Sequence, residues 1–381
     1  MPWEHRTVKE QREEFVLLAQ QGGNFSALCR RFGISPKTGY KWKRRAAAGE
    51  PLDDRCRRPH HVPNRTSEEV EGKILAQRAE QPGWGARKIK VVLERKGEKG
   101  IPCARTVGNI LRRHGCIDPE ESRKRQPFQR FEREHCNELW QTDFKGKFRT
   151  LDGKHCFALD IIDDHSRFAL RIAAADRMAH TVIPVFESAF REYGLPQAVL
   201  SDNGVQFAGF RHGYALFEKW LMDWNVLPIH GRVAHPQTQG KIERFHGAMK
   251  REFLRQHDFA DAAHAHEELQ RWRHTYNMER PHEALGMRCP GEVYVPSVRQ
   301  MPQRIPPVEY GGRFQVIKVS AQGYVSFAGF KTYLSETLAG CPIELRLRED
   351  GEVIIACYRN FKIAEFDTRT GERLNRKISR L

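Results

Sequence analysis

None of the nine cysteines in this chain stands in a C-x-x-C pair. They lie scattered at 29, 56, 103, 116, 136, 156, 289, 341 and 357. That pattern excludes a paired-cysteine zinc module and points to free thiols in a reducing cytosol. Long apolar runs are also missing, since none approaches the roughly 18 residues a membrane helix needs. The opening stretch MPWEHRTVKEQREEF lacks the apolar core of a secretion signal. Acidic charge is scarce in the first third. Residues 1–130 hold 29 Lys and Arg against 16 Asp and Glu, so they carry +13 of the total +16. The rest of the 381 residues are nearly neutral. A basic module beside a neutral one points to a polyanion partner, with nucleic acid the best fit.

What is present falls into five stretches. Residues 1–50 read as three short helices. Val8, Phe15, Leu18 and Ala19 share one side of the first, Asn24 caps the second, and Ser35 with Pro36 opens the third. Two short helices joined through Gly33-Ile34-Ser35 make a helix-turn-helix pattern, whose last helix enters the major groove by its N-terminal part. Lys37, Thr38 and Lys41 fall there, and Lys43 and Arg44 add charge for phosphate. Tyr40 and Trp42 are read as packing between helices. Residues 64–118 repeat the architecture as a second helix-turn-helix or winged-helix-like module. Arg105, Thr106 and Asn109 take the base-reading positions, and Arg112 and Arg113 the phosphate positions. Residues 119–136 form a charged linker.

From 137 to 296 the order is three strands, then strand and helix in alternation, which suits a mixed sheet covered by helices. A proline-rich stretch comes next. Residues 308–381 alternate in the manner of strands, with Ile343, Leu345 and Leu347 inward and Glu344, Arg346 and Arg348 outward, and are expected to close into a small β-barrel.

Three acids carry chemistry. Asp143 lies in an apolar-flanked strand, and Asp202 at the carboxyl end of the strand AVLSDNG, where open α/β sheets place their ligands. Glu243 lies on a helix among Lys241, Arg244, Lys250 and Arg251. It has no lysine or arginine three or four residues away, so a surface ion pair does not explain it. Three carboxylates brought together repel one another unless a cation neutralises them. Hard oxygen ligands suit Mg²⁺ or Mn²⁺, and two such ions would clamp the oxygens of a phosphodiester. Asp160, Asp163 and Asp164 are rivals, the last two better suited to capping a hairpin or holding Arg167.

Together WQTDF, DDHSRF, SDNGVQF, HPQTQGKIERFHGAMKREF and YNMERPHEALG resemble the core of insertion-sequence transposases in the retroviral-integrase superfamily. The likeness spans roughly 137–296. It implies a ribonuclease-H-like fold and a DDE triad, with Asp143, Asp202 and Glu243 as catalytic and metal-binding residues and two Mg²⁺ or Mn²⁺ ions per site. It implies further that water opens a phosphodiester at the element's end, and that the freed 3′-hydroxyl attacks another phosphodiester. Arg244, His246, Lys250 and Arg251 would then bind DNA phosphates, and Gly247 would allow close approach of the backbone.

The expected partners are double-stranded DNA, as terminal repeats and as target, and further copies of the chain, at least a dimer. No membrane partner is expected, and the expected place is a bacterial-type cytoplasm at the nucleoid. Forty residues between Asp202 and Glu243, and Gln239-Gly240 before the glutamate, depart from the usual family pattern. A DNA-binding repressor without catalysis and a purely hydrolytic nuclease of the same fold remain as other readings.

Overall fold

The computed structural model describes residues 7–55, 65–117, 132–175, 179–209, 213–231 and 240–381. The chain divides into two compact units, Met1–Arg65 and Thr66–Leu381. The first holds α1 (Val8–Gln20), α2 (Phe25–Arg31) and α3 (Pro36–Ala47). Each begins on a capping side chain, from Thr7, Asn24 and Ser35 in turn, which accepts a backbone N–H left over in the first turn. Phe15, Val16, Cys29 and Trp42 form the core. α3 lies so close that a Cβ on Gly39 would stand 2.7 Å from Cys29 Sγ and 2.9 Å from Phe15. Val8 and Tyr40 are exposed rather than packed inside, with Tyr40 laid over the Phe25 ring 4.3 Å away.

The second unit opens with α4 (Glu68–Glu80), α5 (Ala86–Arg95) and α6 (Ala104–Arg113), closed over Ile74, Trp84, Ile89, Val107 and Ile110. Residues 65–117 contain no strand, so the module is a plain helix trio without a wing. It is built onto the rest of its unit. Arg95 donates to Met287 O and Glu292, both at 3.3 Å. Gly83 packs against Glu252, whose Cγ would lie 2.2 Å from an added Cβ.

The main sheet runs β3-β2-β1-β4-β5, from β1 (Trp140–Arg149), β2 (His155–Asp163), β3 (Ala169–Ala175), β4 (Ala198–Ser201) and β5 (Leu227–His230). The first three strands pair antiparallel, while β4 and β5 join parallel, giving the expected mixed sheet. Alternation decides what each face receives. Trp140, Phe144, Leu159, Ile161 and Val199 meet Phe186 and Phe190 of α7 (Ala179–Tyr193). Ala158, Ile162 and Ile172 meet α9 (Gly240–Met249) and α10 (Ala262–Met278) on the other face. α8 (Leu216–Asp223) lies between β4 and β5 in the chain. The helix bearing Glu243 does not run on regularly, because Lys250–Leu254 form a π-helical turn.

The C-terminal region is not the closed barrel expected. Its sheet is open, in the order β12-β11-β10-β9-β6, with β13 on β11 and β7-β8 as a separate hairpin. These strands are β6 (Gln315–Lys318), β7 (Tyr324–Phe327), β8 (Phe330–Tyr333), β9 (Pro342–Leu347), β10 (Val353–Tyr358), β11 (Phe361–Asp367), β12 (Arg373–Asn375) and β13 (Ser379–Arg380). Closure is not needed to cover the apolar face. Tyr214 and Met222 share its core, and Tyr358 donates to Asp223 at 2.5 Å. Alternation on β9 fails at both ends of the expected pattern. Leu347 is 59% exposed, while Glu344 is buried and bonded to Arg346.

Candidate active site

Sheet register sets the first two acids. β1 and β4 pair Trp140 with Val199 and Gln141 with Leu200. The printed pairs end there, with Asp143 two residues further along β1 and Asp202 one residue past the end of β4. Trp140 and Val199 face α7, so by alternation Gln141 and Asp143 face α9, and Asp202 leaves β4 on that side. Both aspartates are half-buried. One oxygen of each accepts from nearby backbone, Phe144 N at 2.7 Å and Gly204 N at 2.9 Å.

Three contacts fix α9 on that face. Ile242 N donates to Gln141 Oε1 at 3.3 Å. Lys241 Nζ donates to Asp164 O at 3.0 Å and also bonds the Asp164 carboxylate. One turn later His246 Nε2 comes within 2.7 Å of Asp160 Oδ2, without the alignment of a hydrogen bond, and its Nδ1 lies 3.8 Å from Asp143 Oδ2. Glu243 sits between these anchors and is exposed. Burial pushes the Asp160 carboxyl up to about 6, against the opposing pull of His246.

The outcome for the expected residues is uneven. His246 is turned inward and 9% exposed, so it meets carboxylates where a phosphate contact was expected. Lys241 is likewise committed, to Asp164. Arg244, Lys250 and Arg251 are exposed. Arg244 and Arg251 line a cleft of about 620 Å³ together with Lys88, Arg167, Lys241 and Glu243. Gly247 also lines it, and among the described residues an added Cβ would meet the Arg251 guanidinium at 3.2 Å. Asp163 caps the hairpin, accepting from Ser166 N at 2.8 Å and Asn137 N at 2.8 Å. The Arg167 guanidinium is held by Glu132 at 2.9 Å, while its backbone N–H donates to Asp163 O at 3.0 Å. Gln141 and the Asp164–Lys241 pair join the site without any local sequence signal. The one sequence signal for Asp160 is an acid inside the apolar run FALDII.

On the helix-turn-helix modules, Lys37, Lys41, Lys43, Arg44 and Arg105 face solvent. Thr38 is half-buried, with Oγ1 3.0 Å from Ser35 Oγ. Thr106 is half-buried as well. Asn109 accepts from Arg112 at 2.8 Å, and Arg113 pairs with Glu71 at 2.5 Å. Arg113 is thus partly spent within the module. The eight cysteines among the described residues are free.

A second constellation lies behind Asp202. Ser201 Oγ is 3.1 Å from His230 Nδ1, and His230 Nε2 is 2.9 Å from Glu218 Oε1. The chain of contacts has the order of a hydrolase triad. However, Ser201 is 2% exposed, and Glu218 also accepts from Gly209 N and Ala215 N. Its chemistry is that of a brace beneath the β4 terminus, since a nucleophile needs access.

The donor set around Asp143 is carboxylate oxygen, which suits a hard divalent cation. Among the described residues, no three His, Cys, Asp or Glu are gathered into a finished metal cage. Residues 232–239, which lead into Glu243, lie outside the described part. Among the described residues, no helix is long and apolar enough to cross a membrane.

Residues 133–236 and 225–290 match the integrase core domain family. Residues 11–60 match a helix-turn-helix domain and 38–111 a homeodomain-like domain. An insertion element IS407 protein of Burkholderia multivorans is 26% identical over 237 residues, 60% of this chain and 82% of its own length. The transposase for insertion sequence element IS21 of Pseudomonas aeruginosa is 26% identical over 55% of this chain and 56% of its own. Among solved structures, the HTLV-2 integrase catalytic core is 15% identical, covers 42% of this chain and 97% of its own, and aligns with a TM-score of 0.33. Both parts of the integrase core are matched in order behind the helix-turn-helix stretches, so residues 133–290 resemble an integrase core and the chain is similar to insertion-sequence transposases.

Proposed function

We propose that this chain binds the terminal inverted repeats of an insertion sequence, cleaves the DNA there, and joins the freed end to a target. Asp143, Asp202 and Glu243 are the catalytic carboxylates. One observation carries this reading. Asp143 in the first half of β1 and Asp202 just past the end of β4 stand on adjacent strands, and alternation points Asp143 to the face where α9 carries a glutamate without a partner among the described residues.

Each group has a role its chemistry supports. The three carboxylates would hold two Mg²⁺ or Mn²⁺ ions, whose binding would offset their mutual repulsion. When bound, such a pair polarises the attacking and leaving oxygens of a phosphodiester. Arg244, Lys250 and Arg251 neutralise phosphates beside Glu243. Lys37, Thr38, Lys41, Lys43 and Arg44 on α3, and Arg105, Thr106, Asn109, Arg112 and Arg113 on α6, supply base and phosphate contacts. Joining two ends calls for at least two copies of the chain, and the C-terminal sheet would contact DNA or a second copy.

The test is footprinting on DNA flanking the reading frame, paired with a strand-transfer assay on labelled ends. Wild type should protect the ends and join them. Glu243→Gln should protect them and join nothing. Joining by the variant at the wild-type rate sinks the assignment, and cleavage without joining by wild type favours a hydrolytic nuclease.

A further inference from the structure

Asp160 is fully buried, and among the described residues neither carboxylate oxygen has a well-aligned hydrogen-bond partner. Such burial is expensive unless a neighbouring group compensates it. Antiparallel pairing puts Asp160 opposite Asp143, and the β2 alternation turns it toward α9 with Ala158 and Ile162. There the His246 ring fills the space between sheet and helix, 2.7 Å from Asp160 and 3.8 Å from Asp143. His246 stands three residues after Glu243, hence lies on nearly the same side of the helix one turn along. The contacts of Lys241 and Ile242 hold the start of α9, and Phe245, Ala248 and Met249 pack its later part into the core, so His246 is the polar contact of that later part with the sheet among the described residues.

Building on the reading of Glu243 as third carboxylate, we propose that Asp160 and His246 are positioning residues, a buried contact that sets the depth and rotation of α9 and so the place of Glu243 beside Asp143. Neither touches DNA in this role. An apolar side chain at 246 would leave Asp160 uncompensated. The two residues should therefore behave as one unit, since loss of either removes the same contact.

The experiment measures Mn²⁺ binding by titration calorimetry on the full chain, with turnover and affinity on the flanking-DNA duplex measured in parallel. Asp160→Asn, His246→Gln, His246→Ala and the Asp160→Asn/His246→Gln double variant are compared with Glu243→Gln. Supporting partners of metal-site residues typically cost roughly 10- to 100-fold in metal affinity or activity. We expect single variants in that range, in Mn²⁺ affinity and in kcat, with DNA affinity and KM unchanged. The double variant should be no worse than the poorer single, and His246→Gln milder than His246→Ala.

Wild-type Mn²⁺ affinity and kcat in the Asp160 and His246 variants overturn the clamp while leaving Glu243 in place. Additive losses overturn it too. If Asp160→Asn loses Mn²⁺ as completely as Glu243→Gln while His246→Gln keeps it, Asp160 is a ligand and the clamp is wrong. Full activity in Glu243→Gln would instead remove the underlying reading. Should Asp160→Asn fail to fold, the two His246 variants decide by the same readouts.

Discussion

Lys241 Nζ donates to the backbone carbonyl of Asp164 at 3.0 Å and bonds its carboxylate, tying the first turn of α9 to the β2–β3 hairpin. Both side chains are almost fully enclosed, at 9% and 0% exposure. Breaking a buried pair by removing one partner costs about 3–5 kcal/mol, because a charge stays behind in the interior. Lys241→Met should therefore lower the unfolding free energy by that order, measured by denaturant titration. A loss below about 0.5 kcal/mol, the range of ordinary surface changes, would show that the tie contributes little.

The catalytic acids should behave oppositely. Glu243 is exposed and makes no ion pair among the described residues, so Glu243→Gln should leave stability within about 0.5 kcal/mol of wild type. Asp143→Asn and Asp202→Asn should also abolish strand transfer while retaining the footprint. Survival of strand transfer in either aspartate variant would remove that residue from the triad.

Lys88 gives a pH signature. Burial brings its ammonium down to about 8, with Arg280 adding repulsion and Glu252 opposing it. An unfolded lysine titrates near 10.4. Between those values the unfolded chain holds the extra proton, so this group makes stability rise with pH across that window. Below about 8 both states are charged, and the buried charge is a standing penalty. Relative to wild type, Lys88→Met should gain most stability near pH 7 and least near pH 10, while Arg280 still pairs Glu252 through two bonds of 2.6 Å. Chemical denaturation at several pH values reads the difference, and a constant offset would contradict the assignment.

The first helix-turn-helix unit separates packing from binding. Gly39→Ala forces a methyl to within 2.7 Å of Cys29 Sγ, and overpacking of that kind costs roughly 1–3 kcal/mol. Arg44→Ala, on the exposed side of α3, should leave melting unchanged. It should weaken DNA binding across sequences and lower the salt slope by about 1. Fluorescence anisotropy over a salt series distinguishes the two.

How much of the structure is legible in the sequence depends on the range of the interaction. Helix caps at Asn24 and Ser35 and the strands around Asp143 and Asp202 rest on local signals and alternation, and the structure has them. The inward turn of His246 rests on β1–β2 pairing, and an ERFH stretch carries no trace of its distant partner. The commitment of Lys241 to Asp164, 77 residues away, is hidden for the same reason. Barrel closure fails because alternation records which side of a strand is apolar, and not what covers it. Here α8 and Tyr214 do so.

The π-helical turn at Lys250–Leu254 bears on how this segment tolerates change. One extra residue per turn shifts the phase of the side chains beyond it, so Glu252 can reach inward to Arg280 while Lys250 and Arg251 stay in solvent. A single-residue deletion here would rotate every later side chain by about 100°, the angular step of an α-helix. With Lys250 removed, Arg251 would swing away from the cleft, and the carboxylate that anchors Arg280 would be carried outward.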